Sequence, residues 1–177
     1  RAYGTMMKRK GHRLVSVGRD VRLSSERIKN TLAKGILSTG MDVIDVGVCP
    51  TPLVYYSIVH YETDGSVMVT GSHNPIEYNG LKLNEGLLSL YGEQILHLYE
   101  LAEKEDFETG EGSLTSREII PPYQKMLKER ISFQKTFKIA IDAGNGTAGP
   151  VAPQVFEELG CEVLPLYTEP DGRFPNH

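Results

Sequence analysis

Apolar positions along this chain change their spacing several times, and each change marks an element. Residues 13–17, 42–46 and 66–70 are short runs rich in valine and isoleucine, as buried strands require, and each runs into a polar, glycine-bearing loop. Between these runs the spacing turns helical. Residues 2–9 read as a helix closed by Gly11. Ser24 or Ser25 can cap a second helix that continues to Thr39 and stops at Gly40, and Thr51 followed by Pro52 suits the N-cap and first residue of a third. In that third helix Leu53, Tyr56 and Val59 or His60 fall near one face, and Tyr61 ends it. Residues 80–83 predict a short returning strand, and residues 92–104 a helix with Ile95, Leu98 and Ala102 turned inward.

The acidic tract 103–111 reads as a solvated boundary. Beyond it come a linking helix at 122–129, a strand at 137–141, the glycine-rich loop 142–149, a helix ending at Glu158 and a strand at 161–166. Alternation of this kind predicts an α/β fold: a three-layer α/β/α domain with a mixed sheet over residues 1–117, then the beginning of a second similar domain over 118–177. The opening residues read as a helix already under way. One strand-helix-strand unit is also too small to cover its own apolar faces, so the sequence reads as part of a longer protein whose first domain lacks its extreme start.

Composition narrows the function classes. The 177 residues are 40% apolar and 24% charged, the balance of a soluble α/β protein rather than of a disordered one. A net charge of −4 supplies no general attraction to nucleic acid or to an anionic membrane, although local basic clusters can still hold a phosphorylated small molecule. No apolar run is long enough to span a bilayer, and the first residues lack the apolar stretch of a secretory signal. Cys49 and Cys161 are too few and too far apart for a disulfide framework, which leaves two partly buried thiols in a reducing compartment, the cytoplasm.

The chemistry concentrates in Thr70-Gly-Ser-His-Asn-Pro75, where a strand hands over to a tight loop and Pro75 biases Asn74 toward an extended backbone. Ser72 can thereby be displayed rigidly. A serine hydroxyl is a weak nucleophile unless a base takes its proton or positive charge stabilises its phosphorylated product, and His73 and Lys82 offer both types of group nearby in sequence. Taken alone, residues 71–75 more often form an ordinary turn. The loops at 18–22, 47–51 and 71–75 each follow a strand, however, and open α/β sheets place ligands beyond the carboxyl ends of their strands. The loop 144–149 has neither the lysine of a phosphate-binding P-loop nor dinucleotide spacing, and Asp142 and Asn145 read as organisers of a turn rather than as metal ligands.

Several segments, in order, resemble the α-D-phosphohexomutase superfamily and, within it, phosphomannomutase/phosphoglucomutase-like enzymes. They are Gly18-Arg-Asp-Val-Arg-Leu-Ser24, Pro50-Thr-Pro52, Thr70-Gly-Ser-His-Asn-Pro75, Asn79-Gly-Leu-Lys-Leu83, Asp142-Ala-Gly-Asn-Gly-Thr-Ala-Gly149 and Glu169-Pro-Asp-Gly-Arg-Phe-Pro-Asn176. The resemblance covers nearly the whole chain but only the N-terminal part of a typical four-domain member. It implies that Ser72 is the phosphoserine, with Gly71 where alanine is usual, a departure expected to loosen the loop.

Phosphorylated Ser72 is then expected to donate to a hydroxyl of a hexose monophosphate. The resulting bisphosphate reorients and returns its other phosphoryl group, a net transfer between the 1- and 6-positions. The resemblance gives His73 a proton-transfer duty, Lys82 a catalytic or phosphate-contacting role and Arg19 a contact with the transferring group, while Arg22 is placed less firmly. It also implies Mg2+, for which Ser72 is the single ligand on this chain, and hexose 1,6-bisphosphate as activator and intermediate. Mannose and glucose phosphates are the expected substrates, with a phosphoglucosamine mutase or a non-catalytic sugar-phosphate-binding module as alternatives. The expected assembly is a monomer or weak homodimer, and the 177 residues alone are not expected to be fully competent.

Overall fold

The computed structural model describes residues 1–176, over which strands and helices alternate. In chain order the elements are α1 (Ala2–Arg9), β1 (Leu14–Arg19), α2 (Ser25–Leu37), β2 (Asp42–Val48), α3 (Thr51–His60), β3 (Gly65–Val69), β4 (Leu81–Glu85), β5 (Leu88–Ser89) and α4 (Glu93–Glu103). They continue with β6 (Leu114–Ser116), α5 (Ile120–Arg130), β7 (Lys138–Asp142), α6 (Ala152–Glu158) and β8 (Glu162–Leu166). One sheet has the strand order β5-β4-β3-β1-β2-β6, and β7 and β8 form a second, parallel pair. Strands β3, β1, β2 and β6 run parallel, whereas β4 is antiparallel to β3 and β5 to β4, so the first sheet is mixed.

Period-two alternation sends neighbouring side chains to opposite faces of this sheet. Val15, Val17, Val43 and Val67 pack with Met7 of α1, Ile36 of α2 and Leu98 of α4. On the other face Ile44, Val46 and Met68 meet Leu53 and Val54 of α3, Ile119, and Val151 and Val155 from the β7–α6–β8 unit. The result is the expected three-layer α/β/α arrangement. β5 and β6, with two and three residues, are too short to show alternation in the sequence. β6 exists by virtue of its partner, with Val43 paired to Leu114 on the open edge of β2.

Two helix faces differ from their predicted ones. In α3 the buried residues are Leu53, Val54, Ser57 and Ile58, and Val59 is 61% exposed. Gly18 explains the rotation: a β-carbon there would lie 2.5 Å from Val54 Cγ2, so the absent side chain leaves room for Val54 to seat against β1. Ser57 and Ser16 then join through their hydroxyls at 2.6 Å. Pro50 rather than Thr51 is the N-cap of this helix. In α4 only Leu98 and Leu101 are buried, with Ile95 and Ala102 exposed, because the helix packs against α1 and needs only a narrow apolar stripe.

The acidic tract is anchored rather than free. Arg9 in α1 pairs with Asp106 at 2.7 Å and Glu108 at 2.8 Å, and the Glu108 amide donates to Thr5 Oγ1 at 3.0 Å. Both cysteines are free and buried. Burial, aided by the negative charge of Asp45, pushes the Cys49 thiol up to about 12 and keeps it protonated at neutral pH. Among the described residues no helix is long and apolar enough to cross a membrane.

Asp64, just before β3, fixes the start of β1: its Oδ2 accepts the amides of Arg13 at 2.7 Å and Leu14 at 3.0 Å. Burial acts to raise its pKa, but the two backbone donors and His12 outweigh burial and hold the carboxyl below its usual range. A depressed carboxylate contributes stability that is present above its unfolded pKa and lost as pH falls through the folded one. Asp64→Ala is therefore expected to lower unfolding free energy by about 1–2 kcal/mol at pH 7. In urea titrations the difference from the parent should shrink below about pH 4 as the parent carboxyl protonates.

Candidate active site

The carboxyl ends of β1 and β3 and the amino end of β4 meet at one rim of the sheet, with Arg19 opposite Val69 and Val69 opposite Leu81. Ser72 lies three residues past the end of β3, exposed, with φ 52°. A left-handed backbone at a residue with a β-carbon costs roughly 1–2 kcal/mol and persists only when its surroundings fix it. Arg22 provides that fixing.

The Arg22 side chain is only 5% exposed. Its Nη1 donates to the carbonyls of Pro75 at 2.6 Å and Tyr78 at 3.0 Å, and its Nη2 to those of Ser72 at 3.0 Å and Asn74 at 2.8 Å. The fifth donor, Nε, reaches Asp20 Oδ2 at 3.2 Å. Asp20 completes the frame: Oδ2 accepts from Thr70 Oγ1 at 2.8 Å, and Oδ1 accepts from the Arg22 amide at 3.0 Å and from the Ser25 hydroxyl. Thr70 Oγ1 in turn accepts the Ser72 amide at 2.9 Å.

Asn79 closes the far end of the loop, donating to the hydroxyls of Ser24 at 2.9 Å and Ser25 at 2.8 Å while its Oδ1 accepts the Gly80 amide. These contacts occupy the serines that the sequence suggested as helix caps, and neither makes a side-chain cap to α2. Gly71 has a packing role in the loop. A β-carbon at this position would stand 2.5 Å from Arg22 Cζ and 2.7 Å from the Tyr78 carbonyl oxygen, so glycine is what allows the guanidinium to come this close.

Of the four residues singled out for catalysis, two are in contact: Ser72 Oγ lies 3.2 Å from His73 Nδ1. Arg19 and Lys82 reach the same rim from opposite faces. Arg19 follows Val15 and Val17 on the α2 side and sits 3.8 Å from Glu26 of α2. Lys82 pairs across the strands with Met68, on the α3 side, and is half-buried. Neither makes a hydrogen bond or ion pair to Ser72.

Asp20, Thr70, Asn79 and the structural duty of Arg22 escaped sequence reasoning. The available signal was Gly18-Arg-Asp-Val-Arg22 itself, where an acid two residues before an arginine follows a strand end. Among the described residues no cluster of three or more His, Cys, Asp or Glu side chains could hold a metal ion. Asp20 is committed to Arg22, Thr70 and Ser25, so the described side chains do not by themselves fit a magnesium site around Ser72.

The exposed serine thus sits on a strand-end loop of a three-layer α/β/α domain that is followed by another α/β unit. The sequence model described as phosphoglucomutase/phosphomannomutase, alpha/beta/alpha domain I, matches residues 1–109, and that of domain II matches residues 121–177. The chain belongs to the phosphoglucomutase/phosphomannomutase family. A phosphomannomutase/phosphoglucomutase of Pseudomonas aeruginosa is 45% identical over 177 residues, covering 100% of this chain and 38% of its own length. A phosphoglucomutase/phosphomannomutase of Thermococcus kodakarensis is 41% identical, over 98% of this chain and 41% of its own. The crystal structure of a Burkholderia thailandensis member of the family superimposes with a TM-score of 0.95 at 39% identity, across 100% of this chain and 40% of that one. The chain thus spans about two-fifths of the length of these relatives.

Arg22→Lys keeps the charge and discards the planar fork that serves four carbonyls. Chemical denaturation is expected to show a loss of about 2–4 kcal/mol, far above the cost of an exposed arginine-to-lysine change. The same replacement at exposed Arg27 serves as the control and should change stability by under about 0.5 kcal/mol.

Proposed function

We propose that the full-length protein is a phosphohexomutase in which Ser72 carries the phosphoryl group. The observation that carries this reading is the pre-set loop: an exposed serine in a left-handed backbone conformation, tied down through the carbonyls around it, with a histidine nitrogen 3.2 Å from its hydroxyl oxygen.

Transfer from phosphorylated Ser72 breaks its Oγ–P bond as a substrate hydroxyl forms a new O–P bond. The hydroxyl proton must end on Ser72 Oγ, and His73, whose Nδ1 lies 3.2 Å from that oxygen, is assigned to move it. Return of the second phosphoryl group reverses these events, with Ser72 Oγ attacking and its proton leaving. Transferred phosphoryl oxygens stay strongly charged throughout, so Arg19 and Lys82, approaching the rim from the two faces of the sheet, are assigned to bind and neutralise them.

The sugar is proposed to be mannose or glucose phosphate, transferred between its 1- and 6-positions, with hexose 1,6-bisphosphate as intermediate and activator. The names carried by the Pseudomonas and Thermococcus relatives support that choice. Mg2+ belongs to the same proposal, with Ser72 Oγ the single ligand assigned on this chain. A division of the chain between residues 117 and 118 is favoured by β6, which pairs into the first sheet just before it. Two free, buried thiols favour a cytoplasmic setting.

In the full-length protein Ser72→Ala should leave the unfolding midpoint nearly unchanged, because the side chain is exposed and its carbonyl and amide contacts remain. Turnover of glucose 1-phosphate and mannose 1-phosphate should fall by roughly three orders of magnitude or more, as expected when a covalent nucleophile is removed. Near-parental turnover with this variant would overturn the reading.

A further inference from the structure

Arg22 spends its five donors on the edges of the guanidinium, which leaves the face of the group to be covered. The cover comes from a distant part of the chain. Arg22 Cζ lies over the Phe174 ring, 5.8 Å from its centroid, within the range of a cation–π contact. Two residues earlier, Gly172 presses its backbone on the loop that carries Arg22: a β-carbon there would stand 2.2 Å from the Val21 carbonyl oxygen and 3.1 Å from the Leu23 amide nitrogen. No side chain larger than hydrogen fits without pushing the two segments apart.

The segment that makes these contacts is itself held from the β7–α6–β8 unit. Asn145, in the loop three residues past the end of β7, is 6% exposed with φ 58°. Its Nδ2 donates to the Glu169 carbonyl, its Oδ1 accepts from Asn176 Nδ2, and its backbone carbonyl accepts the Asp171 amide, each at 2.9 Å. Phe174 adopts φ 47°, a conformation that a bulky side chain rarely takes and that its surroundings must hold. Both glycine- and asparagine-bearing motifs of the second unit, idle in the phosphoryl-transfer scheme, are used in this one construction.

We propose that Phe174 and Gly172 are positioning residues for phosphoryl transfer: they seat the second α/β unit on Arg22 and so fix the loop that presents Ser72. The role rests on the reading of Ser72 as the phosphoryl carrier. The guanidinium beside Phe174 is only 5% exposed, so the donor side of the hydrogen bonds to the Ser72 and Asn74 carbonyls is shielded, and bonds in a drier setting hold geometry better than wet ones. A nucleophile whose position is set from a second unit is tied to the relative placement of the two units.

The test uses the full-length protein and the variants Gly172→Ala, Phe174→Leu and Phe174→Tyr. Two quantities are read: amide hydrogen exchange across residues 71–79, and the single-turnover rate at which glucose 1,6-bisphosphate phosphorylates Ser72. Gly172→Ala and Phe174→Leu are expected to speed exchange in that loop at least about tenfold, with core strands β1 and β3 unchanged. They should slow phosphorylation by about ten- to a hundredfold while leaving KM for the sugar phosphate within about twofold. Phe174→Tyr keeps the ring face and should behave as the parent. Unchanged exchange at 71–79 in both Gly172→Ala and Phe174→Leu would overturn the proposal, as would unchanged phosphorylation in a parent that labels on Ser72. A parent that does not label on Ser72 counts against the phosphoryl-transfer reading alone, and the exchange result then decides the coupling by itself.

Discussion

A guanidinium buried at the rim of a mixed sheet organises the loop that carries Ser72. Burying a cation is costly, and the cost is met here by Asp20 and by four backbone carbonyls that would otherwise have no common partner. Only a planar, five-donor fork can serve an acid on one edge and carbonyls on two others. Because those carbonyls belong to residues 72–78, the shape of the loop is a consequence of the arginine's geometry. The positive φ of Ser72 and the close approach at Gly71 follow from it.

The sheet beneath supplies the frame. Strands β1 and β3 lie side by side and end together, so the loop holding Arg22 and the loop holding Ser72 leave the sheet at adjacent points. β4 returns antiparallel to β3 and delivers Lys82 back to the rim, while β1 ends on Arg19. Alternation along the strands then puts these two cations on opposite faces of one edge. Of the groups at this rim, His73 is the one in contact with Ser72 Oγ, at 3.2 Å.

Much of this was legible in the sequence, for identifiable reasons. The strands at 13–17, 42–46 and 66–70 are apolar runs closed by loops, and the loop at 70–75 declares itself through the proline after Asn74 and the serine-histidine pair. Lys82 could be placed on the strand that returns from the Ser72 loop, whereas Arg19 falls in the loop 18–22 by sequence and in fact ends β1, because the pairing of Arg19 with Val69 carries the strand two residues past the apolar run. Arg22 could not be assigned its role, since four of its five partners lie 50 to 56 residues away and are carbonyls, which no side-chain pattern records. Likewise, Phe174 and Gly172 carry no mark of the segment they rest on. The faces of α3 and α4 differ from expectation because helical periodicity fixes neither the rotation nor the width of an apolar stripe. Gly18 sets the rotation of α3, and peripheral packing against α1 narrows the stripe of α4.

The claim most exposed to experiment is that the rigidly presented oxygen of Ser72 is the atom that carries the phosphoryl group. Full-length protein incubated with glucose 1,6-bisphosphate, quenched, digested and mapped by mass spectrometry should carry one phosphate, on the peptide that spans residues 70–82 and at Ser72 within it. Phosphate on another residue, or a fully unlabelled protein that nonetheless turns over hexose phosphate, would contradict the account.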